Sequence, residues 1–141
     1  MNVLYSTQAT ATGGGREGQS RTHDGVLSVT LSTPRELGGS GGPGTNPEQL
    51  FATGYSACFL GALRFVAGKA GARLPAETSV SAKVGIGSRD DGQGFGLDVE
   101  LTVSAPGFDQ AELGTLVEKA HVVCPYSHAT RNNIPVKTRL A

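Results

Sequence analysis

The apolar positions of this chain follow two periods, and the change from one to the other predicts the order of its elements. Residues 3–10 are predicted as a first strand. Residues 27–32 read Leu-Ser-Val-Thr-Leu-Ser, with an apolar side chain at every second position. Such alternation predicts a strand with one buried face, and the Asp24-Gly25 pair before it is a strong hairpin signal. The chain is therefore predicted to open with three short strands.

A long apolar segment follows, and its ends carry helix signals. Asn46 suits the N-cap, Pro47 the first helical position and Gln49 the third position of a capping box. From Leu50 to Ala67 the segment is apolar on nearly every face. This pattern predicts a central helix that is buried all round.

The remaining residues predict two more strands, a second helix and a last strand. Alternation marks the two strands, at Val80, Ala82, Val84 and Ile86 and then at Phe95, Leu97, Val99, Leu101 and Val103. Helical spacing returns from about Asp109 to Val123, a short helical piece follows Pro125, and a strand covers about residues 134–140. The order β-β-β-α-β-β-α-β predicts one α+β domain over residues 1–141, with a mostly antiparallel sheet packed on one long helix.

Composition and charge narrow the choice of partners. The chain has 141 residues, and its 12 basic and 12 acidic side chains cancel, so no global field recruits nucleic acid or an anionic membrane. The longest uncharged apolar run covers residues 49–63, which is shorter than the roughly 20 residues that span a bilayer. The first residues show no signal-peptide pattern. These features predict a cytoplasmic protein, and the glycine clusters at residues 13–18 and 38–44 predict loops.

Two cysteines are the strongest candidates for chemistry. Cys58 lies within the predicted central helix, and Cys124 directly precedes Pro125, where a new helix is predicted to start. A cytosolic protein has little use for a permanent disulfide, so we interpret them as a working redox pair. By default, however, a cysteine in an apolar helix is a small buried hydrophobe, and burial raises the pKa of a thiol. A reactive Cys58 therefore needs a nearby cation, and the candidates are Arg16, Arg21, Arg131 and Arg139.

A metal site is the main alternative from another class of function. His121, Cys124 and His128 have zinc-competent spacing on an unbroken helix, but Pro125 interrupts that helix. Two glycine patterns at residues 13–18 and 39–44 match the dinucleotide-binding motif without its surrounding strand–helix–strand unit, so they are predicted as loops. A non-catalytic thiol-binding or zinc-binding module therefore remains an alternative, although no metal is expected.

Three segments carry a resemblance to a known family. They are GGREG at residues 14–18, TNPEQLFATGYSACF at 45–59 and CPYSHATRN at 124–132. In this order and spacing they are similar to the organic hydroperoxide resistance (Ohr) family, a branch of the Ohr/OsmC fold. The resemblance implies a bacterial thiol peroxidase that forms an intertwined homodimer, with two active sites at the subunit interface. An OsmC-type peroxidase with a different substrate preference is the nearest alternative within the fold.

The resemblance also assigns roles to residues. It implies that Cys58 is the peroxidatic cysteine, Cys124 the resolving cysteine, and Arg16 the missing cation with Glu48 as its carboxylate partner. It implies organic hydroperoxides as substrates and no bound cofactor, with dihydrolipoamide on lipoylated proteins as the external dithiol reductant. Apolar neighbours are expected to favour alkyl hydroperoxides over hydrogen peroxide, and the candidates for the pocket are Phe51, Tyr55, Phe59, Tyr126 and Ile134.

Helix geometry adds a prediction about the subunits. Glu48 and Cys58 are ten residues apart on one predicted helix, hence about 15 Å apart along its axis. One guanidinium barely reaches both within one subunit. We therefore expect the Arg16–Glu48 pair that meets a given Cys58 to come from the other chain of the dimer.

Overall fold

The computed structural model describes residues 1–141, which form two compact units, Met1–Leu50 and Phe51–Ala141. The first unit holds one antiparallel sheet in the order β1-β2-β3. Its elements are β1 (Ala9–Thr12), a 3-10 helix (Gly15–Glu17), β2 (Gln19–Thr22), β3 (Ser28–Thr30) and a second 3-10 helix (Arg35–Leu37).

The predicted hairpin is confirmed, but the first strand is shorter than predicted. The Asp24 carboxylate accepts hydrogen bonds from the Thr22 hydroxyl and the Val26 N–H, which fold the turn between β2 and β3. β1 begins only at Ala9, whose partner Thr22 is the last residue of β2. Residues 3–8 extend past the end of that neighbour, where only the Gln8 carbonyl still accepts a backbone N–H, that of His23 at 3.0 Å. The prediction of a strand over residues 3–8 is therefore wrong.

The later elements follow the predicted order. They are α1 (Pro47–Lys69), β4 (Ser79–Ser88), β5 (Phe95–Ser104), α2 (Gln110–Val123), α3 (Pro125–Thr130) and β6 (Val136–Leu140). β4 and β5 pair antiparallel, whereas β6 joins β5 in parallel. The fold is thus α+β with a long helix, but its strands form two three-stranded sheets where one sheet was predicted. The sheets are separate because β3 pairs only with β2, and β4 pairs only with β5.

The start of α1 is as predicted, whereas its burial is not. The Asn46 Oδ1 accepts the N–H of Gln49 at 2.9 Å, which is an N-cap bond. The helix buries one face, made of Tyr55, Phe59, Ala62, Leu63, Val66 and Ala67. Phe65, on the opposite side, is 55% exposed. The prediction of a helix buried all round is therefore wrong for the chain, because one layer of neighbours covers one side of a helix.

The core of the second unit lies between this face of α1, the sheet and α2. Its fully buried side chains include Leu63, Val99, Leu101, Val103 and Leu113. α2 starts where Asp109 accepts the N–H of Glu112 at 2.8 Å. By length and composition alone α1 is also apolar enough to cross a membrane, with a mean hydropathy of 1.4, although core helices meet the same criterion.

Candidate functional site

The two cysteines lie side by side in the second unit. The Sγ atoms of Cys58 and Cys124 are 3.7 Å apart, and both thiols are free. Cys58 projects from the middle of α1, and Cys124 is the single residue between α2 and α3. A disulfide bond is about 2.05 Å long, so the sulfurs need to approach by less than 2 Å to form one. This separation is what the hypothesis of a working redox pair requires.

Cys124 owes its position to a change of direction between two helices. The residue has extended backbone angles (φ −66°, ψ 121°) and caps both the end of α2 and the start of α3. Pro125 occupies the first position of α3, where its missing N–H costs nothing. The helix start predicted at this point is confirmed.

The exposure of the two sulfurs differs. Cys124 is completely buried, whereas Cys58 is only half-buried. Sequence patterning placed Cys58 in a helix buried all round, and the structure corrects this. Burial, followed by the hydrogen bond with Cys124, raises the pKa of Cys58, while the backbone N–H of Tyr126 lowers it. Ionisation of this thiol at neutral pH therefore needs additional positive charge.

The first unit holds a cation of the required kind. The two terminal nitrogens of Arg16 donate to the two carboxylate oxygens of Glu48, at 2.9 and 2.6 Å. This is a bidentate pair, the strongest common geometry for such ions. The hydrogen bond from Arg16 holds the pKa of Glu48 below its usual value, and the same bond raises the pKa of Arg16. The Arg16 side chain stays 39% exposed, so its guanidinium is accessible.

The loop that carries Arg16 is built around a glycine. A Cβ on Gly18 would lie 2.0 Å from the carbonyl oxygen of Thr12, so no other residue fits there. The Glu17 carboxylate accepts the N–H of Thr33 at 2.9 Å and ties the loop to the following segment. Two other candidate cations are engaged elsewhere, since Arg131 donates to the His121 carbonyl and Arg139 pairs with Glu100. The third, Arg21, lies against the turn at Gly25.

Three of the predicted pocket residues form one aromatic cluster. The rings of Phe51, Tyr55 and Tyr126 have centroids 5.6–6.0 Å apart, with Tyr126 37% exposed and Tyr55 completely buried. The other two are placed differently. Phe59 is fully buried, and Ile134 lines a cavity of about 280 Å³. Their roles toward a substrate stay predictions.

Comparison with known proteins identifies the family of this chain. A family model described as OsmC-like protein matches residues 38–139. The organic hydroperoxide resistance protein of Xanthomonas axonopodis pv. citri (strain 306) is 59% identical over 139 residues, which is 99% of this chain and 96% of the relative. The chain belongs to the Ohr family of OsmC-like proteins.

Solved structures support the same assignment. The crystal structure of an organic hydroperoxide resistance protein from Elizabethkingia anophelis is 50% identical, covers 100% of this chain and 99% of its own, and has a TM-score of 0.92. A structure from Legionella pneumophila is 46% identical, covers 99% of both chains and also has a TM-score of 0.92. The predicted Ohr/OsmC fold is confirmed.

One residue of this Ohr protein escaped sequence reasoning. The sequence offers His121 only as a candidate zinc ligand, yet its Nδ1 lies 2.9 Å from Ser127 Oγ and its Nε2 lies 2.9 Å from Thr138 Oγ1. His128, the third member of that pattern, is exposed. No group of three or more His, Cys, Asp or Glu side chains is placed to hold a metal ion. The one signal for His121 in the sequence is the Ser127 hydroxyl six residues later, on the short helix α3.

Proposed function

We propose that this protein reduces organic hydroperoxides to alcohols, with Cys58 as the attacking thiol. The observation that carries the proposal is the 3.7 Å separation between a half-buried and a fully buried sulfur. Membership of the Ohr family supports the same chemistry, because relatives bear the name organic hydroperoxide resistance protein. A peroxide reaches the half-buried sulfur first, and the second sulfur lies close enough to complete the reaction.

The proposed reaction has two steps on the protein. The Cys58 thiolate attacks the terminal oxygen of the hydroperoxide, the O–O bond breaks, and the alkoxide takes a proton and leaves as alcohol. Cys58 is thereby oxidised to a sulfenic acid. Cys124 then attacks this sulfur, the S–O bond breaks, and a disulfide and water form. An external dithiol, which we expect to be dihydrolipoamide on lipoylated proteins, restores both thiols by exchange.

Arg16 is the proposed cation for the first step. A guanidinium stabilises the thiolate against the cost of burial and donates hydrogen bonds to the peroxide oxygens. The Glu48 carboxylate fixes its orientation through two hydrogen bonds. The chain is expected to act as a homodimer in the cytoplasm, with Arg16 supplied by the other subunit. The exposed apolar side of α1, which includes Phe65, is compatible with such a partner.

Thiol counting tests the proposal directly. Reduced protein mixed with cumene hydroperoxide is expected to lose both thiols of each chain. Cys58→Ser should lose none, while Cys124→Ser should complete one turnover and stop as a sulfenic acid. Hydrogen peroxide at equal concentration is the control for substrate preference. Peroxide consumption that survives Cys58→Ser, or an unchanged steady-state rate in Cys124→Ser, would overturn the assigned roles.

A further inference from the structure

A chain of hydroxyl and imidazole groups, partly buried at His121 and Thr138, connects α1, α2, α3 and β6 near Cys124. His121 binds Ser127 through Nδ1 and Thr138 through Nε2, each at 2.9 Å. The Tyr55 hydroxyl lies 3.0 Å from Ser127 Oγ and 3.3 Å from Thr130 Oγ1. Tyr55, Ser127 and Thr130 are all buried. Tyr55 and Ser127 find their hydrogen-bond partners within this chain, since each bonds to another of its members.

The imidazole of His121 is the centre of this chain. It extends from the last turn of α2, binds α3 through Ser127 and binds β6 through Thr138. Its ring also packs against Phe59 of α1, with ring centroids 4.5 Å apart. Loss of the ring would detach Ser127 from α2 and β6 and leave the Tyr55 hydroxyl as its remaining partner in this chain.

The protonation state of the ring suits this role. Burial, followed by the nearby charge of Arg131, lowers the pKa of His121, which keeps the ring neutral at neutral pH. A neutral imidazole has one donor and one acceptor nitrogen, and a hydroxyl is able to act as either. Both hydrogen bonds of the ring are therefore satisfied in either tautomer.

Members of the network lie on both sides of Cys124 in the sequence and on one side of Cys58. His121 and Ser127 lie three residues before and three residues after Cys124. Tyr55 lies three residues before Cys58 on α1, so its bond to Ser127 joins α1 to α3 next to the sulfur pair. The position of α3 relative to α1 affects the separation of the two sulfurs, and the His121–Ser127–Tyr55 chain is one of the contacts between these elements, beside the packing of Tyr126.

We propose that His121 is a positioning residue for disulfide formation. It holds Ser127, and with it α3, so that the Cys124 sulfur stays within reach of the Cys58 sulfur. The inference deepens the proposed function and rests on it. In the step concerned, the S–H bond of Cys124 and the S–O bond of the Cys58 sulfenic acid break, the S–S bond forms, and the thiol proton leaves in water.

Two substitutions at His121 separate the effects of its two hydrogen bonds, one to Ser127 of α3 and one to Thr138 of β6. His121→Leu removes both hydrogen bonds. His121→Asn places an amide where Nδ1 stands, so it is expected to keep the bond to Ser127 and to lose the bond to Thr138. Thr138→Val is the matched control, because it removes only the hydrogen bond between His121 and β6. Ser127→Ala removes the hydrogen bond between His121 and α3 but keeps the imidazole ring. It serves as the test if His121→Leu does not fold.

The first measurement follows the two oxidation steps separately after one equivalent of cumene hydroperoxide. His121→Leu and Ser127→Ala are expected to form the disulfide about tenfold more slowly or worse, since small misplacements of reacting atoms have effects of this size. Sulfenic acid should accumulate, while its formation changes far less. His121→Asn and Thr138→Val should stay near the wild-type rate. Wild-type rates of disulfide formation in both His121→Leu and Ser127→Ala would overturn the proposal.

The second measurement needs no peroxide. In a glutathione redox buffer, the equilibrium constant of the Cys58–Cys124 disulfide is expected to fall about tenfold in His121→Leu, which makes its midpoint potential about 30 mV less negative. A purely structural role would lower the melting temperature and leave this constant unchanged, which would contradict the proposal. If the wild type consumes no hydroperoxide, the proposed function fails, and the redox buffer still decides whether His121 positions the sulfurs.

Discussion

Gly54 offers a sharp test of how α3 is held against α1. The residue lies in the interior of α1, where a Cβ would stand 2.9 Å from the Tyr126 hydroxyl and 3.3 Å from its Cε2 atom. Gly54→Ala therefore has two opposing effects. Alanine favours a helix over glycine by about 1 kcal/mol. The methyl group, however, displaces the Tyr126 ring from its packed position against Phe51 and Tyr55.

The structure indicates which effect is larger. The Tyr126 ring packs against Phe51 and Tyr55 at 6.0 and 5.6 Å between centroids. Each such aromatic pair contributes about 0.5–1.5 kcal/mol, so displacement of the ring offsets or exceeds the gain in helix propensity. Gly54→Ala should then be no more stable than the wild type. Because the Tyr126 N–H lowers the pKa of Cys58, a shift of α3 should also raise that pKa and slow the reaction with peroxide.

Gly114 provides the matched control. It lies in the interior of α2, and the nearest atom to an added Cβ is Leu140 Cδ1 at 3.7 Å, an ordinary contact. Gly114→Ala should therefore gain the full stabilisation of about 1 kcal/mol, or roughly 4 °C in melting temperature, with unchanged activity. The assays are urea and thermal unfolding together with the pH profile of Cys58 alkylation. A Gly54→Ala variant as stable as Gly114→Ala, with the wild-type alkylation profile, would refute the reasoning.

Two further predictions concern the Arg16–Glu48 pair. The hydrogen bond with Arg16 is the main cause that lowers the pKa of Glu48 in the folded protein. The pair therefore stabilises the fold at pH values above 4.5, the ordinary pKa of a glutamate, and this stabilisation is lost as the pH falls through the lowered pKa of the folded state. In urea unfolding, the free energy of unfolding of Glu48→Gln should fall less steeply below pH 4.5 than that of the wild type. The same pH dependence in both proteins would contradict this role of the pair. If Arg16 acts across subunits, refolding Cys58→Ser chains with Arg16→Ala chains should create mixed dimers with one complete site. This corresponds to about one quarter of wild-type peroxidase activity after random pairing, whereas no recovery would indicate that Arg16 serves its own chain.

The features that sequence predicted well are those with a local cause. The start of α1 follows from Asn46 and Pro47, whose side chains satisfy or remove the free N–H groups of a first turn. The strands β4 and β5 follow from alternation, because each pair of neighbouring residues faces opposite sides. The cysteines stand out because a chain that is expected to be cytosolic has little use for a permanent disulfide.

The features that sequence missed depend on distant partners. Phe59 and Phe65 are equally apolar, and only the packing of sheet and α2 decides that the first is buried and the second is exposed. His121 finds its partners 6 and 17 residues away, on two elements whose placement no local pattern encodes. The parallel pairing of β6 with β5 is of the same kind, because it depends on the path of the chain through α2 and α3.

The unequal exposure of the two sulfurs has a kinetic consequence for the proposed cycle. Because Cys58 is half-buried and Cys124 is completely buried, we expect an incoming dithiol to meet the sulfur of Cys58 first. The mixed disulfide therefore forms on Cys58, and Cys124 departs as the leaving group. Oxidant and reductant thus use the same atom in turn and exclude each other from it. Steady-state kinetics should accordingly be ping-pong, with parallel lines in double-reciprocal plots as the reductant concentration is varied.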